Sequence, residues 1–173
     1  MRHGSIFDDD DDIPEGYDIA QICLFGHMVN NSAHDFPEHN KDFCTICGKK
    51  TIAQCPTCGM EIRGNLRNSG ILMGEIYVPD FCHGCGRPYP WTQARLEAAR
   101  ELAIELDTIS DEEKTILAGS IEDLVREGPK TTLAATRFKK IVTKAGSVAA
   151  ESFKEILINV VSETAKKIIY PNS

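Results

Sequence analysis

The chain has 173 residues, of which 42% are apolar, the size and composition of one globular domain or two small ones. This excludes a large enzyme scaffold and wholesale disorder. With 19 Lys+Arg against 26 Asp+Glu the net charge is -7, which argues against attraction of the whole protein to nucleic acid or to an anionic membrane. No apolar run approaches the roughly 20 residues of a membrane span, and the first residues carry no apolar signal core. The expected location is the cytoplasm.

Charge is unevenly spread: residues 1–40 carry a net -8, residues 41–95 a net +3 and residues 96–173 a net -2. The run Asp8 to Asp12 cannot pack against itself, so residues 1–16 are expected to be an acidic, flexible tail. Residues 17–91 contain only short candidate strands, Ile19–Cys23, Met60–Arg63 and Glu75–Val78, punctuated later by Pro79, Pro88 and Pro90. Large apolar residues are too few there to build an unaided core, and the segment needs a staple.

Cysteine supplies one. All seven cysteines lie between Cys23 and Cys85, and an odd number in a chain without a secretion signal points to metal rather than disulfides. They form four clusters: Cys23-Leu-Phe-Gly-His27, Cys44-Thr-Ile-Cys47, Cys55-Pro-Thr-Cys58 and Cys82-His-Gly-Cys85. Two ligands on one tight turn reach one Zn(II), and Gly48, Gly59 and Gly86 supply the positive φ such a turn commonly needs. Eight ligands make two closed tetrahedral sites, two zinc ions per chain.

An internal repeat assigns the clusters to metals. An opening cluster is followed, after 16 or 23 intervening residues, by a closing cluster preceded by Phe43 or Phe81. Sequential pairing then places Cys23, His27, Cys44 and Cys47 on one metal and Cys55, Cys58, Cys82 and Cys85 on the other. Cross-braced pairing uses the same ligands but leaves the repeat unexplained. His34 and His39 rival His27 as the eighth ligand, and iron rivals zinc at the all-cysteine site. A redox role for Cys55-Pro-Thr-Cys58 lacks the βαβ setting of thioredoxin-type dithiols.

Together with Ala33-His-Asp-Phe-Pro37 and Pro88-Tyr-Pro-Trp91, the string Cys23-Leu-Phe-Gly-His27 resembles a bacterial family of uncharacterised zinc-ribbon proteins. The resemblance implies tandem ribbons and metal over residues 17–92 with a helical region after them, and it brings no activity to carry over.

Residues 92–173 read as three or four helices. Thr92 is the expected N-cap of the first, with Trp91 packing on Leu96 and an inward stripe of Leu96, Ala99, Leu102, Ala103 and Leu106. Ser110 and Glu113 form a capping box for the second, which turns Leu117, Ile121, Leu124 and Val125 inward and stops before Gly128-Pro129. A third starts at Thr131 or Thr132 and carries Phe138, Ile141, Val142 and Ala145. Gly146-Ser147 separates it from a fourth that runs from Ala149 past Ile169, unless one long helix passes through Gly146 at a cost of about 1 kcal/mol. The fold class expected is a small metal-stabilised β region, tandem zinc ribbons, followed by an all-α region.

Four protein ligands on each metal leave no position for water or substrate, so neither site is expected to be catalytic. His34, Asp35, Glu38 and His39 form one enzyme-like cluster, but Pro37 interrupts any helix that would align them. There is no nucleophile motif and no phosphate loop, and no small-molecule substrate is expected. A nucleic-acid role would rest on Lys49, Lys50, Arg63, Arg67 and Arg87, with Tyr77, Tyr89 or Trp91 to stack on bases. The favoured expectation is a non-enzymatic protein-interaction or oligomerisation module, its interface on one face of the last helix at Ile156, Val160 and Ile168.

Overall fold

In the computed structural model, which describes residues 16–67 and 77–171, the chain divides into two units, Met1–Gly86 and Arg87–Ser173. Small sheets make up the first and five helices the second. The expected tail over residues 1–16 lies outside the described residues, apart from Gly16.

The first unit contains β1 (Tyr17–Ile19), β2 (Gln21–Cys23), β3 (Met28–Asn30), β4 (Thr51–Ile52) and β5 (Arg63–Leu66). One antiparallel sheet has the order β3-β2-β4, with Ile22 opposite Ile52 and Cys23 opposite Thr51. A second pairs β1 with β5, Tyr17 opposite Leu66. The expected strand Ile19–Cys23 is interrupted at Ala20, whose N–H donates to the Ile62 carbonyl while the flanking residues belong to different sheets. There the chain changes partner, stitching the first pair of cysteine clusters to the segment after the third. The expected strand Met60–Arg63 falls three residues later, because Met60 and Ile62 are engaged by Cys55 and Ala53 in the preceding turn. Of the expected strand Glu75–Val78, Glu75 and Ile76 lie outside the described residues, and Tyr77 and Val78 are not in a strand.

Among the described residues of this unit, cysteines apart, the fully buried apolar side chains are Ala20, Ile22 and Ile62. Three such side chains, one of them an alanine, bury little apolar surface. Packing is nevertheless close where the sheets meet. A Cβ built on Gly64 would lie 2.2 Å from the Asn31 carbonyl oxygen and 2.8 Å from the Ile19 carbonyl carbon, so β5 can approach only without a side chain there.

In the second unit α1 (Pro90–Glu105) starts earlier than expected. Pro90 takes the first helical position, where its missing N–H costs nothing, and Tyr89 before it is held extended. Thr92 is therefore inside the helix and fully buried rather than capping it. Trp91 stacks on Tyr89 with ring centroids 4.7 Å apart. α2 (Asp111–Val125) opens with the Ser110–Glu113 capping box, both halves formed, and buries Leu117, Ile121, Leu124 and Val125. α3 (Thr131–Ala145) ends at Gly146, whose φ of 107° breaks the chain before α4 (Ser147–Leu157), so no single helix passes through. Phe138 of α3 meets Phe153 of α4 edge to face at 5.1 Å.

The expected fourth helix is two. α4 ends at Leu157, and α5 (Glu163–Ile169) restarts behind Ser162. The Ser162 hydroxyl accepts from the Ala165 amide, and the Glu127 carboxylate accepts from the Thr164 amide. The Ser162 N–H itself donates to the Leu124 carbonyl, tying the break to α2.

Two substitutions test this packing. Gly64→Ala should destabilise the first unit by about 1–3 kcal/mol through forced backbone displacement, and Ser110→Ala should cost the second about 1 kcal/mol through loss of its cap. Urea unfolding followed by near- and far-UV circular dichroism separates the two effects.

Candidate metal centres

The cysteine turns are built alike. In three of them the glycine after the second cysteine has φ near 70° (Gly48 69°, Gly59 74°, Gly86 68°), and its N–H donates to the carbonyl of the first cysteine at 2.8–2.9 Å. This left-handed residue reverses the chain so that amides point back at sulfur. The Ile46 N–H donates to Cys44 Sγ and the Gly84 N–H to Cys82 Sγ, each at 3.4 Å. The opening turn is a variant in which Gly26, φ 85°, precedes His27, and the His27 N–H donates to Cys23 Sγ at 3.3 Å.

These turns converge in two groups. Cys23, His27, Cys44 and Cys47 bring four donor atoms within 4.8 Å of one another, and Cys55, Cys58, Cys82 and Cys85 do the same. A tetrahedron with metal–sulfur bonds of about 2.3 Å has sulfur–sulfur edges of about 3.8 Å, and a sulfur–nitrogen edge of about 3.6 Å. Cys23 and Cys47 are 3.7 Å apart, Cys55 and Cys85 3.8 Å, and Cys58 and Cys82 3.6 Å. His27 Nδ1 lies 3.3–3.6 Å from the sulfurs of Cys23, Cys44 and Cys47. All seven cysteines are free thiols, and these separations far exceed a disulfide bond. Each group could hold a metal ion.

Electrostatics favours the same occupant. Burial opposes ionisation of Cys44, yet the amides of Cys47 and Ile46 bring its thiol down to about 6. Cys82 is also brought to about 6, against burial, by the amides of Cys85 and Gly84. The Met60 amide favours the Cys58 thiolate, but burial and the sulfurs of Cys85, Cys82 and Cys55 push it up to about 12. Sulfurs this close cannot all carry charge without a cation among them.

The grouping is sequential; the cross-braced combination is not formed. His34 and His39 are elsewhere. His39 lies on the single helical turn Pro37–His39, 3.7 Å from Glu38, with both side chains exposed. His34 and Asp35 belong to an ion cluster that the sequence reading did not find. Arg67 donates to both carboxylate oxygens of Asp35, through Nη2 at 2.7 Å and Nε at 3.2 Å, and its Nη2 also lies 3.0 Å from His34 Nδ1. Behind it, the buried Asp18 carboxylate accepts from the amides of Ile19, His34 and Asp35 and faces Arg67 Nη2 at 3.5 Å. The loop is further held by Asn30, which donates to the Phe36 carbonyl and to Asn40. The expected His34–Asp35–Glu38–His39 constellation is therefore divided, half of it a clamp between β1, the loop and the end of β5. No local spacing rule announces this clamp, since its members are 17 and 32 residues apart.

Aromatic rings engage two of the candidate nucleic-acid cations. Arg63 lies over the Tyr17 ring at 5.0 Å and Lys49 over the Phe25 ring at 4.9 Å. Lys50 is exposed, and Arg87 belongs to the other unit. Tyr89 and Trp91, expected to stack on bases, are 99% buried against each other, while Tyr77 is exposed. The single helix face expected from Ile156, Val160 and Ile168 does not exist: Ile156 is on α4, Val160 is buried in the turn after it, and Ile168 is on α5.

A family model described as uncharacterised protein conserved in bacteria (DUF2321) matches residues 16–169, across both units. The chain belongs to that family. No curated protein and no solved structure matches it. Among the described residues of this family member, no helix is long and apolar enough to cross a membrane.

Hydrogen bonds from His34 and Arg67 hold the Asp35 carboxyl at about 2, below its ordinary 3.8. The folded value being the lower, the clamp's contribution to stability is full above about pH 4 and lost as pH falls through about 2. Carbon-detected NMR titration should give Asp35 this low midpoint, and Arg67→Ala should return it toward 3.8.

Proposed function

We propose that this protein is a non-enzymatic protein-interaction module whose first unit consists of tandem zinc ribbons, each closed on one Zn(II), and that it works in the cytoplasm. The observation that carries this reading is the separation of the donor atoms at tetrahedral edges in both groups. Cys23, His27, Cys44 and Cys47 would hold one ion and Cys55, Cys58, Cys82 and Cys85 the other. A tetrahedron filled by protein donors leaves no vertex for water or substrate, and such zinc is structural. Bound there, it would supply charge compensation among the sulfurs and closure of the turns, in a unit whose described residues fully bury few aliphatic side chains.

Acid–base chemistry finds little support, because Asp35, the carboxylate best placed for it, is occupied by Arg67. Nucleic-acid binding is also weakly supported. Arg67 is only 15% exposed and lies against two carboxylates, and two of the three proposed stacking rings are core. Seven free cysteines used as metal ligands suit a reducing compartment.

Elemental analysis should find two zinc ions per chain. Cys58→Ser should lower this to about one and unfold part of the first unit, while residues 90–169 keep their helical circular dichroism. One zinc or none in the intact protein, or an iron–thiolate absorption band, would contradict the assignment. A fluorescent oligonucleotide titrated at two salt concentrations should show no saturable binding; a tight, salt-sensitive complex would replace the proposal with nucleic-acid recognition.

A further inference from the structure

The two metal centres share one turn geometry but differ at their tips. In the second, the residue two places after the opening ligand of each turn is Thr57 or Gly84. In the first, the same position holds Phe25 and Ile46; Phe43 immediately precedes the second turn, as the half-buried Phe81 does in the second centre. Phe25 is 49% exposed, Phe43 62% and Ile46 72%. The turn itself does not require apolar tips, since the second centre is built without them. Phe25 and Ile46 are therefore exposed apolar surface that the turn geometry does not require, and Phe43, more exposed than its counterpart Phe81, adds to it.

Lysines border them. The Lys49 ammonium lies 4.9 Å from the Phe25 ring centroid, Lys50 pairs with Phe43 across the antiparallel bridge, and Lys41 is exposed two residues before Phe43. Against these three cations residues 41–50 hold one carboxylate, Asp42. We infer that the rim of the Cys23–His27–Cys44–Cys47 centre is a docking surface for an acidic protein segment carrying an apolar anchor, the anchor meeting Phe25, Phe43 and Ile46 and the carboxylates meeting Lys41, Lys49 and Lys50. The inference rests on the interaction-module reading and gives it a site and a partner chemistry.

A protein segment fits better than a nucleic acid. Ile46, the most exposed of the three, has no ring for a base to stack on, and Lys49 covers one side of Phe25. No arginine, the side chain that grips phosphate through two bonds, stands among these cations.

The test uses zinc-loaded full-length protein and fluorescein-labelled peptides with one Leu-Phe anchor. Glutamate flanks one set and lysine a second, and a third has glutamate flanks with the anchor replaced by serine. Fluorescence anisotropy should show binding of the first set at least tenfold tighter than of either control. Phe25→Ser with Ile46→Ser should abolish that difference with two zinc ions retained. Where that variant loses zinc, Lys49→Glu with Lys50→Glu provides the second reading and should shift preference toward the lysine-flanked set. Binding that persists unchanged in zinc-retaining variants would overturn the assigned site while leaving an interaction module in place. Equal binding of the acidic and basic sets, or self-association through this rim seen by sedimentation, would overturn the partner chemistry. Binding of an oligonucleotide with no peptide bound would overturn both the site and the interaction-module reading.

Discussion

Repulsion between sulfurs is the constraint on which the two cysteine groups of the first unit depend. Sulfurs 3.6–3.8 Å apart, with backbone amides aimed at them, form a donor set that favours a divalent cation at its centre. The β-strands are too short to hold such a set by their own hydrogen bonds; β4 has two residues and β1 to β3 have three each. Causation therefore runs from ligand turns to sheet rather than from sheet to ligands. The proposed zinc would add stability to a unit whose described residues fully bury, cysteines apart, only Ala20, Ile22 and Ile62 among the apolar side chains.

The helical unit obeys different physics, with aromatic and aliphatic packing in place of metal. Phe138 against Phe153, Trp91 against Tyr89, and the buried leucines and isoleucine of α2 make a conventional core. Burial here also explains why the last helix makes a poor single interface. Val160, expected on that face, and Val161 line the turn between α4 and α5 and are buried in the unit itself. Phe25, Phe43 and Ile46, between or beside the ligands of the first metal centre, are exposed.

What could be read from sequence follows the range of the interactions. The cysteine turns were legible because each is closed within five residues by a glycine of positive φ, and the capping box of α2 because its two halves are three residues apart. The grouping of clusters was legible through the repeat. Asp18 and Arg67 were not, since their partner loop lies 16 to 32 residues away and a lone Asp and a lone Arg carry no spacing signal. The break at Ser162 was hidden because apolar residues continue across it at near-helical spacing; the capping serine was the one local clue. Pro90 displaced the expected start of α1, where a proline's preference for the first helical position outweighs a threonine's for the cap.

X-ray absorption at the zinc edge tests the central claim most directly. Two closed centres predict an averaged shell of seven sulfurs and one imidazole nitrogen over two metals, with zinc–sulfur distances of about 2.3 Å and no oxygen. An oxygen neighbour or a marked deficit of sulfur would show that at least one centre is open, and the protein would then have to be read as a metal-site catalyst rather than as a scaffold.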